Sequence, residues 1–449
     1  MRFMVRLLVF LIVVPVFAAP AKKLVRAPNK VKDSYIVVLK QSQRGKSAEV
    51  AADLASRHHA RTTFVFREAF PGFTARMTEK QAVAMLKDPR VASVEEDGYG
   101  EFATTQTLPS ISFDYYGLDR IDQRQRGFNV YQYQATYNYC QTGAGVKVYV
   151  IDTGVWSEHV EFYTGGQTRV TSGVNLYGDS YNEGTATNPC PSFSPNACNM
   201  SYFVDNSHGT AVASIIGGNT YGVAKSATIV PLRVTGCFGE DPHHPDPLHP
   251  QISRILQALE IVVLDHQAGQ PAVVNMSLTI GTYTYSDYQS MTSAINAVLN
   301  DGVPVVAAAG NFGGDAGQYM PGNIPGVINV GGSDPWDARW TDVQTGNASN
   351  WGNSIDLFAP ASGVISATMW GCDQNGNAVL DPVAIRQFAT AGTSFSAALV
   401  SGVVAQYLQA NPTATPAQVE SWLINNATAG ALDPTNLGAA NRLLYTNCL

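Results

Sequence analysis

Residues Phe388–Gly402 read FATAGTSFSAALVSG, and the rest of the chain can be interpreted around this stretch. A strand-like lead-in reaches Gly392-Thr393-Ser394, after which small and apolar residues continue at helical spacing. The pattern predicts that the Ser394 hydroxyl lies in the first turn of a helix, where unpaired N–H groups and the helix dipole stabilise negative charge. Serine and threonine are also ordinary helix caps, so the stretch indicates a nucleophile only if its partners occur elsewhere.

The beginning of the chain has the composition of a secretory signal. It reads MRFMVRLLVFLIVVPVFAAPA, in which Arg2 and Arg6 precede an apolar run and small residues follow at Ala18 and Ala19. The run is short for a membrane span, and no later segment has about 18 uninterrupted apolar residues. We therefore expect residues 1–19 to be removed and the product to be secreted without a membrane anchor, to an extracellular or a vacuolar/lysosomal destination.

Charge is divided unevenly along the chain. The first 101 residues hold 17 of the 28 Lys and Arg residues and 10 of the 35 Asp and Glu residues, which leaves 11 basic and 25 acidic residues for the remainder. An acidic main domain argues against nucleic acid as a partner. The opposite signs suggest that the first segment docks on the second.

Six cysteines and four N-glycosylation sequons fit an exported protein. Six cysteines allow 15 full pairings; Cys190 and Cys198 bracket a Pro-rich loop that they could close, although Cys237 competes for Cys198. Asn275 falls in a predicted buried strand, so we expect no glycan there. The cysteines are Cys140, Cys190, Cys198, Cys237, Cys372 and Cys448, and the sequons begin at Asn199, Asn275, Asn347 and Asn426.

The segment after the signal predicts a small ferredoxin-like unit of β-α-β-β-α-β order. Residues Asp97–Leu108 have no periodicity and are predicted to form an exposed connector. The predicted strands are Asp33–Lys40, Thr63–Arg67, Gly72–Met77 and Val91–Glu95, and the predicted helices are Ala48–His59 and Glu79–Leu86.

From Gly145 onward, continuous apolar runs alternate with helical stretches. Such runs are typical of strands buried on both faces of a parallel sheet covered by helices, and ligands bind such sheets at the carboxyl ends of the strands. The runs are Val146–Ile151, Thr228–Val234, Ala272–Leu278 and Val303–Ala309, and the predicted helices are Gly209–Ile216, Ile252–Gln267, Tyr288–Asn300, Ser394–Gln409 and Pro416–Asn425.

Polar residues follow these runs where a site is expected. Asp152 ends the first run, Asn311 follows the last, and His208 lies where a predicted helix begins. Each has an ordinary structural role when taken alone, as a cap, a hydrogen-bonding residue or a turn former. Together with Ser394 they supply an acid to orient an imidazole, a base, a nucleophile and an oxyanion donor, which are the parts of acyl transfer.

Four motifs in this order resemble the subtilisin-like serine proteases, most closely the proteinase K branch. They are VIDTGV with Asp152, SHGTAVAS with His208, AAAGN with Asn311 and AGTSFSAALVSG with Ser394. The resemblance runs from about Leu118 to Gln409 and implies a serine endopeptidase that needs no cofactor for catalysis. In that mechanism His208 takes the Ser394 proton, Asp152 holds the imidazole, and Asn311 binds the oxyanion with the Ser394 amide.

The resemblance also implies a zymogen. The ferredoxin-like unit is similar to the inhibitory propeptide of the family, so we expect residues 20–104 to be a self-removed inhibitor of a peptidase domain at residues 105–449. Cleavage is expected near Ala103 to Thr105. The partners would be protein or peptide substrates and the chain's own propeptide, and the peptidase would act as a monomer.

The family also implies a substrate pocket and a calcium site. The pocket walls match Ser277-Leu278-Thr279 and Ala308-Ala309-Gly310, and the calcium ligands match the carbonyls of Pro325 and Val327 with the Asp356 carboxylate. Thr279 replaces a family glycine, so small or medium aliphatic residues before the cut are expected to be preferred over Phe and Tyr. A side chain that points away from the pocket would leave the preference unchanged.

Other departures from the family leave two further functions open. The family has Met-Ala-x-Pro-His after the serine, whereas Phe395-Ser396-Ala397-Ala398-Leu399 stand here. The missing proline is compatible with a peptide ligase or transpeptidase that passes the acyl-enzyme to an amine. A catalytically weak homologue that only binds peptides is the other alternative. Three histidines in the loop Asp241–Gln251 could bind a metal, but a solvated loop is the better explanation of them: His243, His244 and His249.

Overall fold

The computed structural model describes residues 24–26, 30–66, 71–98, 104–107, 116–126, 136–177, 184–190, 200–236, 250–282, 289–372, 378–386 and 391–446. The chain divides into two compact units, Met1–Phe102 and Ala103–Leu449. The predicted signal and the three loop histidines lie outside the described residues. No helix in the described part of the chain is both long enough and apolar enough to cross a bilayer.

The first unit is a four-stranded sheet with two helices. Its sheet has the order β2-β3-β1-β4, and every described pair of neighbouring strands is antiparallel. Val37, Leu54 and Phe73 are fully buried between the sheet and the helices, and a capping box of Thr78 and Gln81 begins α2. The elements are β1 (Lys30–Leu39), α1 (Ser47–His58), β2 (Arg61–Phe66), β3 (Gly72–Arg76), α2 (Glu79–Met85) and β4 (Val91–Gly98). The predicted ferredoxin-like order is confirmed.

The predicted connector Asp97–Leu108 is wrong for part of its length. Strand β4 continues to Gly98, and Thr104–Thr107 forms β5, which pairs antiparallel with β6 (Thr136–Tyr139). Three of these four residues are threonines, whose β-branched side chains favour extended backbone, and the partner strand lies about 30 residues away. A search for periodicity cannot detect so short a strand with so distant a partner. Residues 99–103 lie outside the described residues.

The second unit contains a sheet of nine described strands in the order β10-β11-β7-β12-β14-β16-β17-β23-β22. Neighbouring strands are parallel except for the edge pair β22–β23. The strands of this sheet are β7 (Lys147–Asp152), β10 (Val174–Asn175), β11 (Thr228–Arg233), β12 (Ala272–Met276), β14 (Val305–Ala308), β16 (Val327–Ser333), β17 (Leu357–Pro360), β22 (Thr428–Ala429) and β23 (Arg442–Leu443). The helices are α3 (Tyr116–Ile121), α4 (Met200–Gly217), α5 (Ile252–Asp265), α6 (Gln289–Asn300), α7 (Thr393–Ala410) and α8 (Pro416–Asn426). Separate two-stranded pairs are β8 (Tyr163–Thr164) with β9 (Gln167–Thr168), β13 (Ile280–Thr282) with β15 (Tyr319–Met320), β18 (Ser366–Ala367) with β21 (Ile385–Arg386), and β19 (Trp370–Cys372) with β20 (Ala378–Leu380).

The sheet separates two hydrophobic cores. Val148 and Val150 of β7 face the core that contains α4 and α7, whereas Tyr149 and Ile151 face the core that contains α5 and α6. Because alternate residues of one strand are buried on opposite faces, the four residues 148–151 of β7 are apolar without interruption. This confirms the prediction of a parallel sheet covered by helices on both faces.

Helix α4 begins earlier than predicted. It starts at Met200 rather than Gly209, so His208 lies within the helix and not at its beginning. The sequence Asn206-Ser-His-Gly resembles a turn because Asn, Ser and Gly are weak helix formers, but tertiary packing overrides that propensity. Gly209 is needed for this packing, since a Cβ built there would lie 2.2 Å from the Gly154 carbonyl oxygen.

Cysteines in the described part of the chain are not free thiols. Cys140 and Cys190 are both disulfide-bonded. Cys198, the partner proposed for Cys190, and Cys237, which competes for Cys198, lie outside the described residues.

Candidate active site

The ends of three sheet strands meet the middle of α4 and the start of α7 where the sequence predicts a site. Asp152 is the last residue of β7, and Ser277 directly follows β12. Ser394 is the second residue of α7, a position that leaves its backbone N–H without an intrahelical acceptor. The parallel sheet thus brings together groups that lie more than 200 residues apart in the chain.

The His208 imidazole contacts both oxygens of the Asp152 carboxylate. The imidazole Nδ1 lies 2.8 Å and 3.0 Å from the two Asp152 carboxylate oxygens. The Thr153 N–H donates to the same carboxylate at 2.7 Å, and the Thr153 hydroxyl accepts the Gly209 N–H at 2.9 Å. Asp152 is only 4% exposed, so its negative charge acts on the ring with little screening by water. With Nδ1 donating to an ionised Asp152, Nε2 is the ring nitrogen that carries the lone pair of the neutral imidazole.

Ser394 and Ser277 are joined by a reciprocal pair of hydrogen bonds. The Ser394 hydroxyl donates to the Ser277 carbonyl at 3.1 Å, and the Ser277 hydroxyl donates to the Ser394 carbonyl at 2.7 Å. The first turn of α7 is therefore attached to the end of β12. Phe395, the residue after the serine, is buried and its ring stacks on the His208 ring with centroids 6.5 Å apart and an interplanar angle of 20°.

Asn311 is oriented by Thr393. The Asn311 side-chain oxygen accepts both the Thr393 N–H and the Thr393 hydroxyl, each at 2.9 Å. The Thr393 hydroxyl in turn accepts the Gly310 N–H at 3.1 Å. The Asn311 amide nitrogen lies beside the turn before Ser394, because a Cβ built on Gly392 would be 2.9 Å from it. A fixed amide donor in this place suits an oxyanion that forms at a carbonyl attacked by Ser394.

Thr393 and Thr153 were missed by the sequence interpretation. Each stands next to a predicted site residue in its motif, but threonine in such a place reads as a cap or a strand residue. Only the folded geometry reveals that one hydroxyl orients Asn311 and the other ties α4 to the end of β7.

The two predicted pocket walls face each other. Ala308 and Ala309 are buried at the end of β14, and the Ala309 carbonyl accepts the Asn350 side-chain N–H at 2.8 Å. Gly310 has φ +101°, a conformation that other residues rarely adopt. A Cβ built on Gly310 would lie 3.3 Å from the Thr279 methyl carbon. The Thr279 methyl group therefore lies close to Gly310 of the other wall.

The predicted calcium residues lie around the start of β16. Asp356 precedes β17, and its carboxylate accepts the Asn329 N–H at 2.8 Å, two residues after Val327. Burial raises the pKa of Asp356 to about 6. Among the described residues there is no group of three or more His, Cys, Asp or Glu that could hold a metal. The predicted set contains one carboxylate and the carbonyls of Pro325 and Val327, so it is not a group of that kind.

Comparison with known proteins identifies both units. A family model described as "Subtilase family" matches residues 143–443, and one described as "Peptidase inhibitor I9" matches residues 34–102. The chain is 35% identical over 387 residues to an extracellular serine proteinase of Thermus sp. (strain Rt41A), covering 86% of this chain and 78% of that protein. It is 28% identical over 429 residues to proteinase R of Parengyodontium album, covering 95% and 92%.

A solved structure agrees with these matches. The crystal structure of a cold adapted subtilisin-like serine proteinase is 32% identical to this chain, with a TM-score of 0.56, and the match covers 75% of this chain and all of that one. The subtilase model spans the parallel sheet and the convergent residues, and the inhibitor model spans the first unit. The chain therefore belongs to the subtilase family of serine endopeptidases and carries a peptidase inhibitor I9 domain ahead of its peptidase domain.

Proposed function

We propose that this subtilase hydrolyses peptide bonds with Ser394 as nucleophile, His208 as general base, Asp152 as the residue that orients the imidazole, and Asn311 as oxyanion donor. The observation that carries the proposal is the placement of Ser394 in the first turn of α7, beside an Asn311 whose amide is already oriented by Thr393. The contact of His208 Nδ1 with both carboxylate oxygens of Asp152 supports the assignment of the base.

The acylation step requires the Ser394 hydroxyl to turn from the Ser277 carbonyl, which it faces at 3.1 Å, to His208 Nε2. The Ser394 oxygen attacks the substrate carbonyl carbon while its proton passes to His208 Nε2, and the carbonyl π electrons move onto the oxygen. The Asn311 amide and the Ser394 backbone N–H donate to that oxyanion. The tetrahedral intermediate then collapses, the carbon–nitrogen bond breaks, and the imidazolium gives its proton to the leaving amine. Asp152 stabilises the positive charge on the imidazole between these two proton transfers.

Deacylation repeats the sequence with water. A water molecule loses a proton to His208 and attacks the acyl carbon, and the Ser394 oxygen then takes the proton back as the acid product leaves. Loss of one oxyanion donor costs about 10² to 10³ in rate, a range known for the subtilisin family. The peptide ligase alternative differs only in the acceptor, an amine in place of water.

The I9 domain makes the chain a zymogen, and we propose that it removes this domain itself. The first unit ends at Phe102, and residues Thr104–Thr107 form β5, which is hydrogen-bonded to β6 within the second unit. A cut inside β5 would have to disrupt that ladder, which supports cleavage ahead of Thr104, at the Ala103 end of the predicted stretch. The mature chain would then keep β5 as its first strand.

Other features are proposals of finer detail. We propose a cleaved signal at residues 1–19, an extracellular monomer, and a glycan at Asn347. Asn347 is exposed, whereas Asn275 is fully buried and the Asn426 side-chain N–H donates to the Tyr445 carbonyl at 2.9 Å. A structural calcium ion would be held by Asp356 with the Pro325 and Val327 carbonyls. Burial alone disfavours the negative charge of the Asp356 carboxylate, and a bound cation would compensate for this cost.

Covalent labelling tests the proposed nucleophile. The mature enzyme should react with an organophosphonate probe at one site, and peptide mapping should place the adduct on Ser394. The Ser394→Ala variant should not react. Labelling of another residue, or an unlabelled enzyme that still cuts peptides, would show that the nucleophile is wrongly assigned.

The same preparation separates the alternatives. Products from a peptide substrate should be almost entirely hydrolytic when an amine acceptor is added at moderate concentration. A dominant aminolysis product would favour the ligase, and labelling without turnover would favour the weak peptide-binding homologue.

A further inference from the structure

A buried chain of hydrogen bonds leads from the middle of α7 to the backbone of Ser394. The Ser401 hydroxyl donates to the Asn275 side-chain oxygen at 2.9 Å, and the Asn275 amide donates to the Ser277 hydroxyl oxygen at 3.0 Å. The Ser277 hydroxyl then donates to the Ser394 carbonyl at 2.7 Å. Ser401 and Asn275 are fully buried and Ser277 is 4% exposed. We call Ser401, Asn275 and Ser277 the relay.

Chemistry fixes the direction of every proton in the relay. The Asn275 oxygen can only accept and its amide nitrogen can only donate. Because the amide donates to the Ser277 oxygen, the Ser277 proton must point elsewhere, and the Ser394 carbonyl is its acceptor. Asn275 therefore selects one rotamer of the Ser277 hydroxyl. A buried network in which each member is satisfied in one arrangement is rigid.

The relay connects two parts of the proposed site. Asn275 and Ser277 lie in and directly after β12, whose end forms one pocket wall, and Ser401 and Ser394 lie on α7 two turns apart. Its bonds, with the reciprocal bond from the Ser394 hydroxyl to the Ser277 carbonyl, hold the nucleophile at a fixed distance from the wall that receives the substrate. A displacement of the nucleophile by about 1 Å can cost about 10²-fold in rate.

We propose that Ser401, Asn275 and Ser277 are positioning residues that set the reactivity of Ser394 through this relay. The inference rests on the proposed function of Ser394 as nucleophile. Ser277 belongs to the predicted pocket wall through its backbone, whereas its hydroxyl and the other relay side chains act on Ser394 through the Ser394 carbonyl and not on the substrate.

The same helix provides a matched control. Ser396 is also fully buried, and its hydroxyl donates to the Ala359 carbonyl at 2.9 Å and the Pro360 carbonyl at 3.2 Å on β17. Ser396 is thus a buried serine of α7, two residues after Ser394, whose hydroxyl bonds to the end of β17. Among the described residues it has no bond to Ser394 or to a pocket wall. Ser396→Ala removes equivalent hydrogen bonds outside the relay.

The test measures the rate of Ser394 phosphonylation by a small organophosphonate, together with kcat and KM for one peptide, in mature enzyme well below its melting temperature. We expect Ser277→Ala to lower the phosphonylation rate and kcat about tenfold, with KM and the pH midpoint of the rate little changed. Ser401→Ala should lower the rate about threefold. The double variant should lose no more than Ser277→Ala alone, because the two act in series.

Ser277→Thr keeps the hydroxyl and should recover most of the rate. Ser396→Ala should melt at a lower temperature yet react within about twofold of the wild-type rate. Ser401→Ala is the mildest change and gives a reading if Ser277→Ala does not fold. Wild-type rates in both Ser277→Ala and Ser401→Ala, or an equal loss in Ser396→Ala, would overturn the relay. An adduct that persists in Ser394→Ala would instead overturn the assignment of the nucleophile.

Discussion

The Thr279 side chain should limit which residue is accepted before the cut. A Cβ built on Gly310 lies 3.3 Å from the Thr279 methyl carbon. Allowing one further carbon–carbon bond of about 1.5 Å, the Gly310 Cα is within about 4.8 Å of that methyl group. An aromatic ring inserted between them needs a contact of about 3.5 to 4.0 Å on each side, or about 7 to 8 Å in all. A gap of this size admits neither a ring nor a methyl group, so the side chain before the cut must lie beside the Thr279 methyl group, where a ring such as that of Phe or Tyr is more restricted than a small aliphatic side chain.

Substitutions at Thr279 can remove this obstacle in steps. Thr279→Ser deletes only the methyl group that faces Gly310, and Thr279→Gly deletes the whole side chain, whereas Thr279→Val keeps a methyl in either branch. A misfit of methylene size is worth about 1 to 3 kcal/mol, which corresponds to about 10- to 200-fold in relative kcat/KM. We expect the ratio of kcat/KM for Phe over Ala before the cut to rise at least about tenfold in Thr279→Gly and by a smaller factor in Thr279→Ser.

The assay compares matched peptides that differ only in the residue before the cut. Thr279→Val should keep the wild-type preference for small or medium aliphatic residues. The reasoning is refuted if the unmodified enzyme already prefers Phe, or if the Ser and Gly variants retain its profile. Either result would mean that the Thr279 methyl group does not restrict the side chain before the cut.

Two further predictions concern stability, and both are measured in the inactive Ser394→Ala background to prevent self-digestion. Calcium at about 100 times its Kd should stabilise the protein by about 2.7 kcal/mol, and Asp356→Asn should abolish the response; an unchanged melting temperature with EDTA in both proteins would exclude the site. Burial lowers the pKa of Lys225 from 10.5 to about 8, although its ammonium donates to the Thr220 and Gly222 carbonyls, each at 2.9 Å. Between these two pH values the unfolded chain therefore binds more protons than the folded chain. The free energy of unfolding should increase by up to about 3 kcal/mol as pH rises from 8 to 10.5. Lys225→Met should lack this increase. Urea unfolding across that range checks it, and parallel profiles of the two proteins would disprove the contribution.

The sequence predicted the fold class because its apolar runs are long and their period is unambiguous. Strands such as β7 lie between two cores and must be apolar on both faces, so they stand out from their surroundings. Short elements gave no such signal: β5 depends on pairing with β6, and the first half of α4 contains the weak helix formers Asn206, Ser207 and Gly209. Their conformation is decided by partners that are distant in sequence.

The residues of the candidate site also fall into those that the sequence could predict and those that it could not. Asp152, Asn311 and Ser394 could be proposed because they follow a strand or open a helix, and His208 because its motif resembles the start of a helix although it lies within α4. The residues that orient them could not, since Thr393 acts through one hydroxyl group and the relay through two hydroxyls and one amide. Any one of these hydroxyls looks like an ordinary cap or a buried polar residue in the sequence. Only the distances in the folded structure distinguish a hydroxyl that orients a neighbouring side chain from one that merely satisfies its own hydrogen bonds.

Self-processing tests the central claim most directly, because it requires Ser394 to cut a peptide bond of the chain itself. Intact-mass measurement of the purified secreted protein should show that the wild-type chain lacks the I9 domain and begins close to Ala103. The Ser394→Ala chain, produced identically, should retain the I9 domain. A wild-type enzyme that is active but uncut, or a Ser394→Ala chain that is processed to the same mass when no other protease is present, would contradict the account.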